Sequence, residues 1–490
     1  MIRLHAMFTD HMVLQREKAV PVWGTGSDGE RVAVECRGQR VDTVVRDGSW
    51  RVELPPMSAG GSFELTVTSE EQVIVLRDVL FGDVWLAGGQ SNMEWSLVDA
   101  AEGPTELPQA AFEQLRYYQV PKIAYEDGLE HETSWVVCTP ENAKAFSAVA
   151  YFFAKRVMAE TSVPIGIVGC NWGGTSASCW VNEEVLEKDP ALHVYLEEYQ
   201  EKLRDFSWEA FEQEETEYKG RVDAYNERAA QGVPASELGD FPWPPPFSPR
   251  SFMRPNGLYH AMLRKAAPYA LKGFLFYQGE SDADKAHLYD RLMAALIELW
   301  RSDWEDSQLP FLFVQLPVFD NDGNPDGDQW PLLREAQWQT ARRVLGAWLA
   351  AVWEHGEKTD IHPRHKQPVG ERLALLALEH VYGFDGIESS GPVWVDMRVE
   401  GDAVVLRFDH AGAAGLRVRG SGELQGFEIC GPDRAYVAAE AEIRGDMVIV
   451  HSDRVREPIG VRYGWANYSE ANLMGSGGLP AFPFRTDRRS

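Results

Sequence analysis

The sequence of 490 residues predicts an α/β protein with a central parallel sheet, flanked by antiparallel β regions at both ends of the chain. Between about residues 81 and 385, apolar runs alternate with amphipathic helical patterns, which is typical of βαβ units around a parallel sheet. Towards both termini, apolar and polar residues alternate with a period of two, which indicates half-buried strands. A strongly acidic helical segment at about 181–250 interrupts the central pattern and indicates an insertion.

Residues 1–80 are expected to form an N-terminal β-sandwich-like domain. Val32 and Val34 alternate with polar residues, and Asp47-Gly48 is a turn of the kind that joins paired strands. This stretch holds no cluster of reactive side chains, so its expected role is structural support or sugar contact through exposed aromatic residues.

The central domain, residues 81–385, is expected to hold the functional site, because ligands of open α/β sheets bind beyond the carboxyl ends of the strands. The predicted strands are Val84–Ala87, Ile165–Val168, Gly273–Phe276, Phe311–Leu316 and Trp348–Val352. The clearest predicted helices are Ala143–Glu160, His287–Trp300, Leu332–Leu345 and Val369–Tyr382.

The insertion at 181–250 begins with an apolar stripe at helical spacing, Leu192 and Tyr195 among its members, which favours packing over ligand binding. A Pro-rich stretch follows, and Trp243 within it is a candidate wall of a binding site. Residues 386–490 return to β-like runs and predict a C-terminal β domain. A separate domain and one joined to the N-terminal region both remain open.

The net charge of −28 disfavours nucleic acid and anionic membrane surfaces as partners, because long-range repulsion would oppose each encounter. No window reaches the length of a membrane span, and the N-terminus carries Asp10 where a signal peptide needs an apolar core. The five cysteines follow neither a disulfide framework nor a metal-site spacing. We therefore expect a reduced, cytoplasmic protein.

The stretch VWLAGGQSNM, from Val84 to Met93, contains the first candidate for chemistry. Its apolar run ends at Gly88 and Gly89, which permit a tight turn, and Ser91 then begins a helix. A serine at this place most often caps the helix, but it can also act as a nucleophile at the sheet edge.

A nucleophilic serine requires a base, and His362 lies in the loop DIHP, after the last predicted strand and before a helix. That position is at the same sheet edge as Ser91. Asp360 is close enough in sequence to orient the imidazole and stabilise its protonated form. An ordinary polar loop is the alternative for this segment when it is considered alone.

Two further strand ends offer donors for an oxyanion. The glycine turn at 171–176 presents backbone N–H groups, with Gly173 and Gly174 both open as donors, and the loop after Phe276 presents the side-chain amide of Gln278. The G-x-S-x-G motif of α/β-hydrolases is absent. Glu280 and Asp282 are alternatively the paired carboxylates of a glycosidase.

Four segments together resemble the SGNH hydrolase superfamily, and specifically its sialate O-acetylesterase-like branch of carbohydrate esterases. They are GGQSNM around Ser91, NWGGTSASCW at 171–180, FYQGESDA at 276–283 and DIHPRHKQPVGERLA at 360–374. The flanking segments FTDHMVLQREKAVPVWGTG and VRYGWANY are also similar to that family, so the resemblance covers nearly the whole chain. Gln278 replaces the superfamily's usual Asn, and the spacing from Asp360 to His362 is two where three is usual.

The resemblance implies a flavodoxin-like SGNH three-layer αβα domain and a serine esterase that removes acetyl groups from sugars, of the sialate or the xylo-oligosaccharide type, through an acetyl-enzyme. Ser91 would be the nucleophile and His362 the base, with Asp360 as the orienting acid; Glu280 as the acid and a dyad without an acid are the open alternatives. The N–H groups of Ser91 and Gly174 and the Gln278 amide would form the oxyanion hole.

The implied substrate contacts are Gln90, Asn92, Trp172, Glu280 and Trp243. Neither a metal nor an organic cofactor is expected. The expected partner is a small acetylated sugar or oligosaccharide, and a homo-oligomer remains open. A carbohydrate-binding protein without activity, built on an esterase scaffold, is the second hypothesis.

Overall fold

The computed structural model describes residues 1–125, 133–239, 241–320, 323–324 and 326–487. The chain divides into two compact units. The larger unit contains the N-terminal part up to Pro121, the stretch that ends at Ala177, and the chain from Ala266 onward. The smaller, helical unit contains Ser178–Lys265 and a short stretch that begins at Lys122. The domain boundaries at residues 80 and 385 stay predictions.

The N-terminal region of the larger unit is built of strands, as the alternating pattern predicts. Strands β1, β3 and β6 form one antiparallel sheet, and β4 pairs antiparallel with β5 and β7. The strands of this region are β1 (Arg3–Leu4), β2 (Val13–Gln15), β3 (Val20–Thr25), β4 (Arg31–Cys36), β5 (Gln39–Val44), β6 (Ser49–Leu54), β7 (Gly60–Thr68) and β8 (Val73–Gly89).

Strand β8 is 17 residues long and belongs to both the N-terminal region and the central sheet. Its first half pairs antiparallel with β7 and, at Leu80–Gly82, parallel with β2. Its second half, from Asp83 to Gly89, is buried throughout. An apolar strand that is buried on both faces is what a central position in a parallel sheet requires.

The central sheet contains the five predicted strands and confirms the α/β class. Its order is β10-β9-β11-β8-β12-β13-β14, and β8, β9, β11, β12, β13 and β14 run parallel. The sheet is mixed rather than wholly parallel as predicted, because β10 pairs antiparallel with β9 at one edge and β7 pairs antiparallel with β8. The additional strands are β9 (Phe112–Gln119), β10 (Val136–Cys138), β11 (Ile165–Asn171), β12 (Gly273–Tyr277), β13 (Phe311–Val314) and β14 (Ala347–Ala350).

Four helices of the larger unit occur where amphipathic patterns predict them, namely α3, α9, α10 and α11. The α-helices are α1 (Ser91–Glu94), α2 (Gly103–Glu106), α3 (Ala148–Thr161), α4 (Glu183–Lys188), α5 (His193–Leu203), α6 (Trp208–Ala230), α7 (Ala235–Leu238), α8 (Arg264–Ala266), α9 (Ala286–Asp303), α10 (Gln329–Arg343) and α11 (Gln367–His380). Single turns of 3₁₀-helix occur at Leu107–Gln109, Asn142–Ala145, Ala177–Trp180, Pro190–Leu192, Glu280–Lys285 and Trp353–His355, and a π-helical turn at Tyr259–Leu263.

The helical unit corresponds to the acidic insertion. Leu192 and Tyr195 from its apolar stripe are buried, so the prediction that the stripe packs is confirmed. Helix α6 differs from that stripe, because none of its residues is fully buried.

The C-terminal region is again built of short antiparallel strands, as predicted. They form two four-stranded sheets, β15-β16-β21-β20 and β19-β18-β22-β24, and a pair, β17-β23. The strands are β15 (Val393–Glu400), β16 (Ala403–Asp409), β17 (Leu416–Val418), β18 (Phe427–Cys430), β19 (Tyr436–Ala438), β20 (Glu440–Arg444), β21 (Met447–His451), β22 (Gly460–Tyr463), β23 (Leu473–Gly475) and β24 (Phe484–Arg485).

All five cysteines are buried free thiols. Among the helices of the described residues, none combines the length and apolar character that a membrane crossing requires. The cytoplasmic location stays a prediction.

Helices α3 and α11 pack closely because Gly370 lacks a side chain. A Cβ at Gly370 would lie 2.5 Å from the carbonyl oxygen of Val149 in α3. The approach fixes the start of α11 and therefore the end of the loop that carries His362.

Gly370→Ala should force α11 away from α3 and lower the free energy of unfolding by about 1–3 kcal/mol. Gly220→Ala is the matched control, because a Cβ in that helix meets nothing within 4 Å. It should be neutral or stabilise by about 0.5–1 kcal/mol, since alanine is the better helix former. Thermal unfolding measures both, and equal stability of the two variants would contradict the close-packing argument.

Candidate active site

Ser91 lies directly beyond the end of β8, at the edge where the parallel strands end. Gly89 has φ +128°, and a Cβ there would lie 2.2 Å from the carbonyl oxygen of Tyr277 in β12. The N–H of Gln90 donates to the same oxygen at 3.0 Å. Glycine is therefore required for the turn that brings Ser91 out of the sheet.

His362 lies against Ser91, with 2.8 Å between its Nε2 and the serine Oγ. The ring of Trp95 stacks on the imidazole, with 5.3 Å between centroids and 25° between planes. Burial lowers the pKa of His362, and the positive charge of Lys366 lowers it further, against the opposing effects of Asp360 and Glu94. A neutral imidazole with its proton on Nδ1 can accept the serine proton on Nε2.

Asp360 lies beside His362, but its carboxylate does not reach the ring. The Oδ1 is 4.0 Å from Nδ1, which is an ion-pair distance and too long for a hydrogen bond. The same oxygen accepts the backbone N–H of His362 at 2.8 Å. Since one residue separates the two side chains, the carboxylate bends back onto the backbone, as aspartate does in turns.

The glycine turn after β11 distinguishes between its two candidate donors. The N–H of Gly173 donates to Oε2 of Glu94 at 2.7 Å. No acceptor within the described part of the chain takes the N–H of Gly174, where φ is +73°. The N–H of Ser91 is likewise without an acceptor there. The arrangement favours Gly174 over Gly173 as a donor to an incoming oxyanion.

Gln278 does not offer the free amide that the sequence predicts. Its Nε2 donates to the carbonyl oxygen of Thr175 at 3.1 Å and to Oδ2 of Asp282 at 2.6 Å, while its Oε1 accepts the hydroxyl of Tyr289 at 2.8 Å. Both amide hydrogens already have acceptors, so the predicted oxyanion role of Gln278 is not supported. The amide instead fixes the loop that follows β12.

Asn92 is also internal rather than open to substrate, and it holds the half-buried Glu280. Asn92 has no exposed surface, and its Nδ2 donates to Oε1 of Glu280 at 2.6 Å and to the carbonyl oxygen of Ile361 at 3.0 Å. Its Oδ1 accepts the Nζ of Lys366. The geometry contradicts the predicted substrate contact of Asn92, whereas that of Glu280 stays a prediction.

The glycosidase alternative fails on the same ground. Asp282 is 1% exposed, and its carboxylate accepts Ser176 Oγ at 2.6 Å and the N–H of Ala177 at 2.8 Å. Glu280 is held by Asn92. Because Asp282 is buried and both its oxygens are already bonded, the two residues cannot act as a pair of carboxylates that flank a glycosidic bond.

The remaining predicted contacts lie in different places. Gln90 is 3% exposed, and its Oε1 accepts the N–H groups of Gly279 and Ser281 at 3.3 and 3.4 Å. Trp172 is half-buried, and its backbone N–H donates to the carbonyl oxygen of Gly89 at 3.0 Å. Trp243 belongs to the helical unit and is 53% exposed. The substrate contacts of these three residues stay predictions.

Glu94, Trp95 and Lys366 are site residues that sequence reasoning missed. Glu94 and Trp95 follow Ser91 within one helical turn, and that spacing was an available signal. Lys366 reads as an ordinary polar residue before a helix, and only the fold shows that it is 1% exposed.

The chain is similar to known carbohydrate esterases. A family model described as carbohydrate esterase, sialic acid-specific acetylesterase, matches residues 248–377. Sialate O-acetylesterase of Mus musculus is 30% identical over 434 residues, which cover 80% of this chain and 75% of the mouse protein. The Homo sapiens protein of the same name is 29% identical, with 80% and 73% covered.

A solved structure is similar over its full length. It is a carbohydrate acetylesterase from Xanthomonas citri, with a TM-score of 0.81, 37% identity and 100% of both chains covered. The fold and these matches define a carboxylic ester hydrolase. The chain belongs to the sialate O-acetylesterase family of carbohydrate esterases. The non-catalytic alternative is thereby set aside.

Proposed function

We propose that this esterase removes O-acetyl groups from acetylated sugars with Ser91 as its nucleophile, through an acetyl-enzyme intermediate. The observation that carries the proposal is the 2.8 Å contact between Ser91 Oγ and His362 Nε2 beyond the carboxyl ends of the parallel strands. A serine hydroxyl is a weak nucleophile by itself, and an adjacent base is what activates it.

The first step acylates the enzyme. His362 accepts the proton of Ser91 while Oγ attacks the acetyl carbonyl carbon, and the N–H groups of Ser91 and Gly174 stabilise the resulting oxyanion. When this intermediate collapses, the bond to the sugar oxygen breaks. His362 then returns its proton to that oxygen, so the sugar leaves as an alcohol.

The second step restores the enzyme. Water attacks the acetyl-enzyme as His362 accepts one of its protons, and collapse of the intermediate releases acetate. The proton on His362 passes back to the Ser91 oxygen. Neither step requires a cofactor.

Asp360 is the proposed acid, acting through charge rather than through a hydrogen bond. Its negative charge opposes the lowering of the His362 pKa by burial, which means that it stabilises the protonated imidazole of the transition state. Glu280 is a weaker candidate because Asn92 holds its Oε1.

We further infer that the sheet is of the flavodoxin-like SGNH type. The strands β8, β11, β12, β13 and β14, numbered among themselves in chain order, stand in the spatial order 2-1-3-4-5, which supports this assignment.

A neutral acetylated oligosaccharide of the xylo-oligosaccharide type is the proposed substrate, with acetylated sialate as the second candidate that the relatives' names suggest. Around the Ser91–His362 pair the acidic groups Glu94 and Asp360 outnumber the cationic neighbour Lys366, which is itself only 1% exposed, and the net charge is −28. Both would repel a sugar carboxylate.

Acetate release from a panel of acetylated sugars tests the substrate. We expect kcat/KM on acetylated xylo-oligosaccharides to be about tenfold larger than on O-acetylated sialic acid. A tenfold ratio corresponds to a difference of roughly 1.4 kcal/mol in binding free energy. An equal or opposite preference would overturn the choice of a neutral sugar. Acetyl-group consumption without free acetate would contradict hydrolysis itself.

Ser91→Ala should lower kcat on an acetyl ester by about a thousandfold or more, without unfolding, because the attacking oxygen is lost. Ser302→Ala, an exposed serine in α9, is the control and should keep full activity. A serine-directed organophosphate should label the wild type once, at Ser91. Turnover above a few per cent in Ser91→Ala would eliminate Ser91 as the nucleophile.

Asp360→Asn keeps an oxygen for the backbone N–H of His362 but removes the charge. We expect kcat to fall about tenfold or more, as for other losses of charge stabilisation. The wild-type acid limb should lie below pH 6.5, because the His362 pKa is lowered and the base must be neutral. In the variant this limb should move to still lower pH, because Asp360 raises that pKa. An unchanged kcat with an unmoved limb would exclude Asp360.

A further inference from the structure

A buried set of polar groups lies directly behind the Ser91–His362 pair. It consists of Lys366, Asn92 and the carboxylate of Glu280, a half-buried residue whose Oε2 is buried, and we call it the buried charge network. Lys366 is 1% exposed and Asn92 is fully buried. Lys366 Nζ donates to Asn92 Oδ1, and Asn92 Nδ2 donates to Glu280 Oε1 at 2.6 Å. One amide group therefore lies between a cationic and an acidic side chain.

Burial of these ionisable groups lowers the stability of the fold, so stability alone does not explain the network. An ionisable group inside a protein loses its hydration, and apolar residues of similar volume often replace buried ion pairs without loss of stability. The Oε2 of Glu280 has no hydrogen-bond partner among the described residues, which adds to the cost. The rings of Trp95 and Tyr277, 5.5 and 5.8 Å from Lys366 Nζ, offset part of the cost for the lysine.

The two charges fix the direction of the Asn92 amide. Lysine can only donate, so it requires the amide oxygen, and an ionised Glu280 can only accept, so it requires the amide nitrogen. Nδ2 is thereby also aimed at the carbonyl oxygen of Ile361, to which it donates at 3.0 Å. A rotated amide would set oxygen against that carbonyl.

Asn92 and Ile361 are the neighbours in sequence of Ser91 and His362. The hydrogen bond from the Asn92 side-chain amide to the Ile361 carbonyl oxygen therefore joins the helix that begins with the nucleophile to the loop that carries the base. We infer that Lys366 and Glu280 are positioning residues, which orient the Asn92 amide so that it holds the His362 loop against Ser91. This inference rests on the proposed roles of Ser91 and His362.

The charges around the network add a second, electrostatic role for Lys366. Burial lowers its pKa to about 7, against the acidic groups that face it, Glu280, Asp360, Glu102 and Glu357. Burial also raises the pKa of Glu280, which Lys366 opposes.

The positive form of Lys366 in turn lowers the pKa of His362, whose other charged neighbours are Asp360 and Glu94. The lysine therefore helps to keep the base neutral at moderately acidic pH. Its removal should raise the pKa of His362.

The test compares Lys366→Met with the double variant Lys366→Met/Glu280→Gln. The single variant leaves Glu280 buried without its countercharge and is expected to be less stable; the double variant removes both charges and keeps a hydrogen-bond acceptor for Asn92. We expect the double variant to fold and to hydrolyse 4-nitrophenyl acetate with kcat lowered about tenfold or more and KM changed less than threefold. Its acid limb should move to higher pH.

Lys18→Met is the control, because it removes a lysine that pairs with Asp306 at 2.7 Å. It should change neither kcat nor the limb. A folded double variant with kcat within twofold of wild type and an unmoved acid limb would overturn the inference. If Ser91→Ala remained active, the proposed function would fail instead, so the two failures are distinguishable.

Discussion

The active site depends on one close approach between two backbones, where β8 passes β12 at Gly89. A side chain at this position would collide with the carbonyl oxygen of Tyr277, which also accepts the N–H of Gln90. The chain can therefore leave the sheet only at this residue and in this direction. The loops after β11 and β14 meet Ser91 at that exit point, and the loop after β12 is held there by Gln90.

Most polar side chains around Ser91 serve the loops rather than the chemistry. Asp282 and Gln278 connect the loops after β11 and β12, and Gln90 Oε1 accepts two further N–H groups of the latter. Buried polar groups need such partners, and satisfied networks make a site rigid. Because the surrounding side chains are already bonded, few groups can still donate a hydrogen bond to an incoming ester, and the backbone N–H groups of Ser91 and Gly174 are among them.

Periodicity was sufficient to predict the main sheet strands and four long helices, because buried strands and amphipathic helices leave strong patterns. Strand β9 was missed since its first half, Phe112–Gln114, carries polar residues and only its second half is buried. The order of strand ends along the sheet also placed Ser91 and His362 at one edge. Their 2.8 Å contact is the geometric outcome of that placement.

The direction of individual side chains could not be predicted in this way. Gln278 and Asn92 lie at the predicted sheet edge, yet their amides face inward, because both Asn92 acceptors and one Gln278 acceptor come from distant parts of the chain. Asp360 depends on the turn geometry of a single intervening residue. Lys366 can be identified as a site residue only from the fold, in which the start of α11 brings its Nζ to Asn92 Oδ1. Such roles arise from tertiary contacts, which a linear pattern does not encode.

The continuity of β8 has a consequence for how this protein can be divided. A cut at residue 80 would fall inside a strand, separating its exposed beginning from the buried half that leads to Ser91. The N-terminal strands β2 and β7 also supply part of that strand's pairing. Shortening the gene to the hydrolase region would therefore leave the start of the strand that leads to Ser91 without its β2 and β7 partners, so the N-terminal strands have to be kept with the hydrolase region.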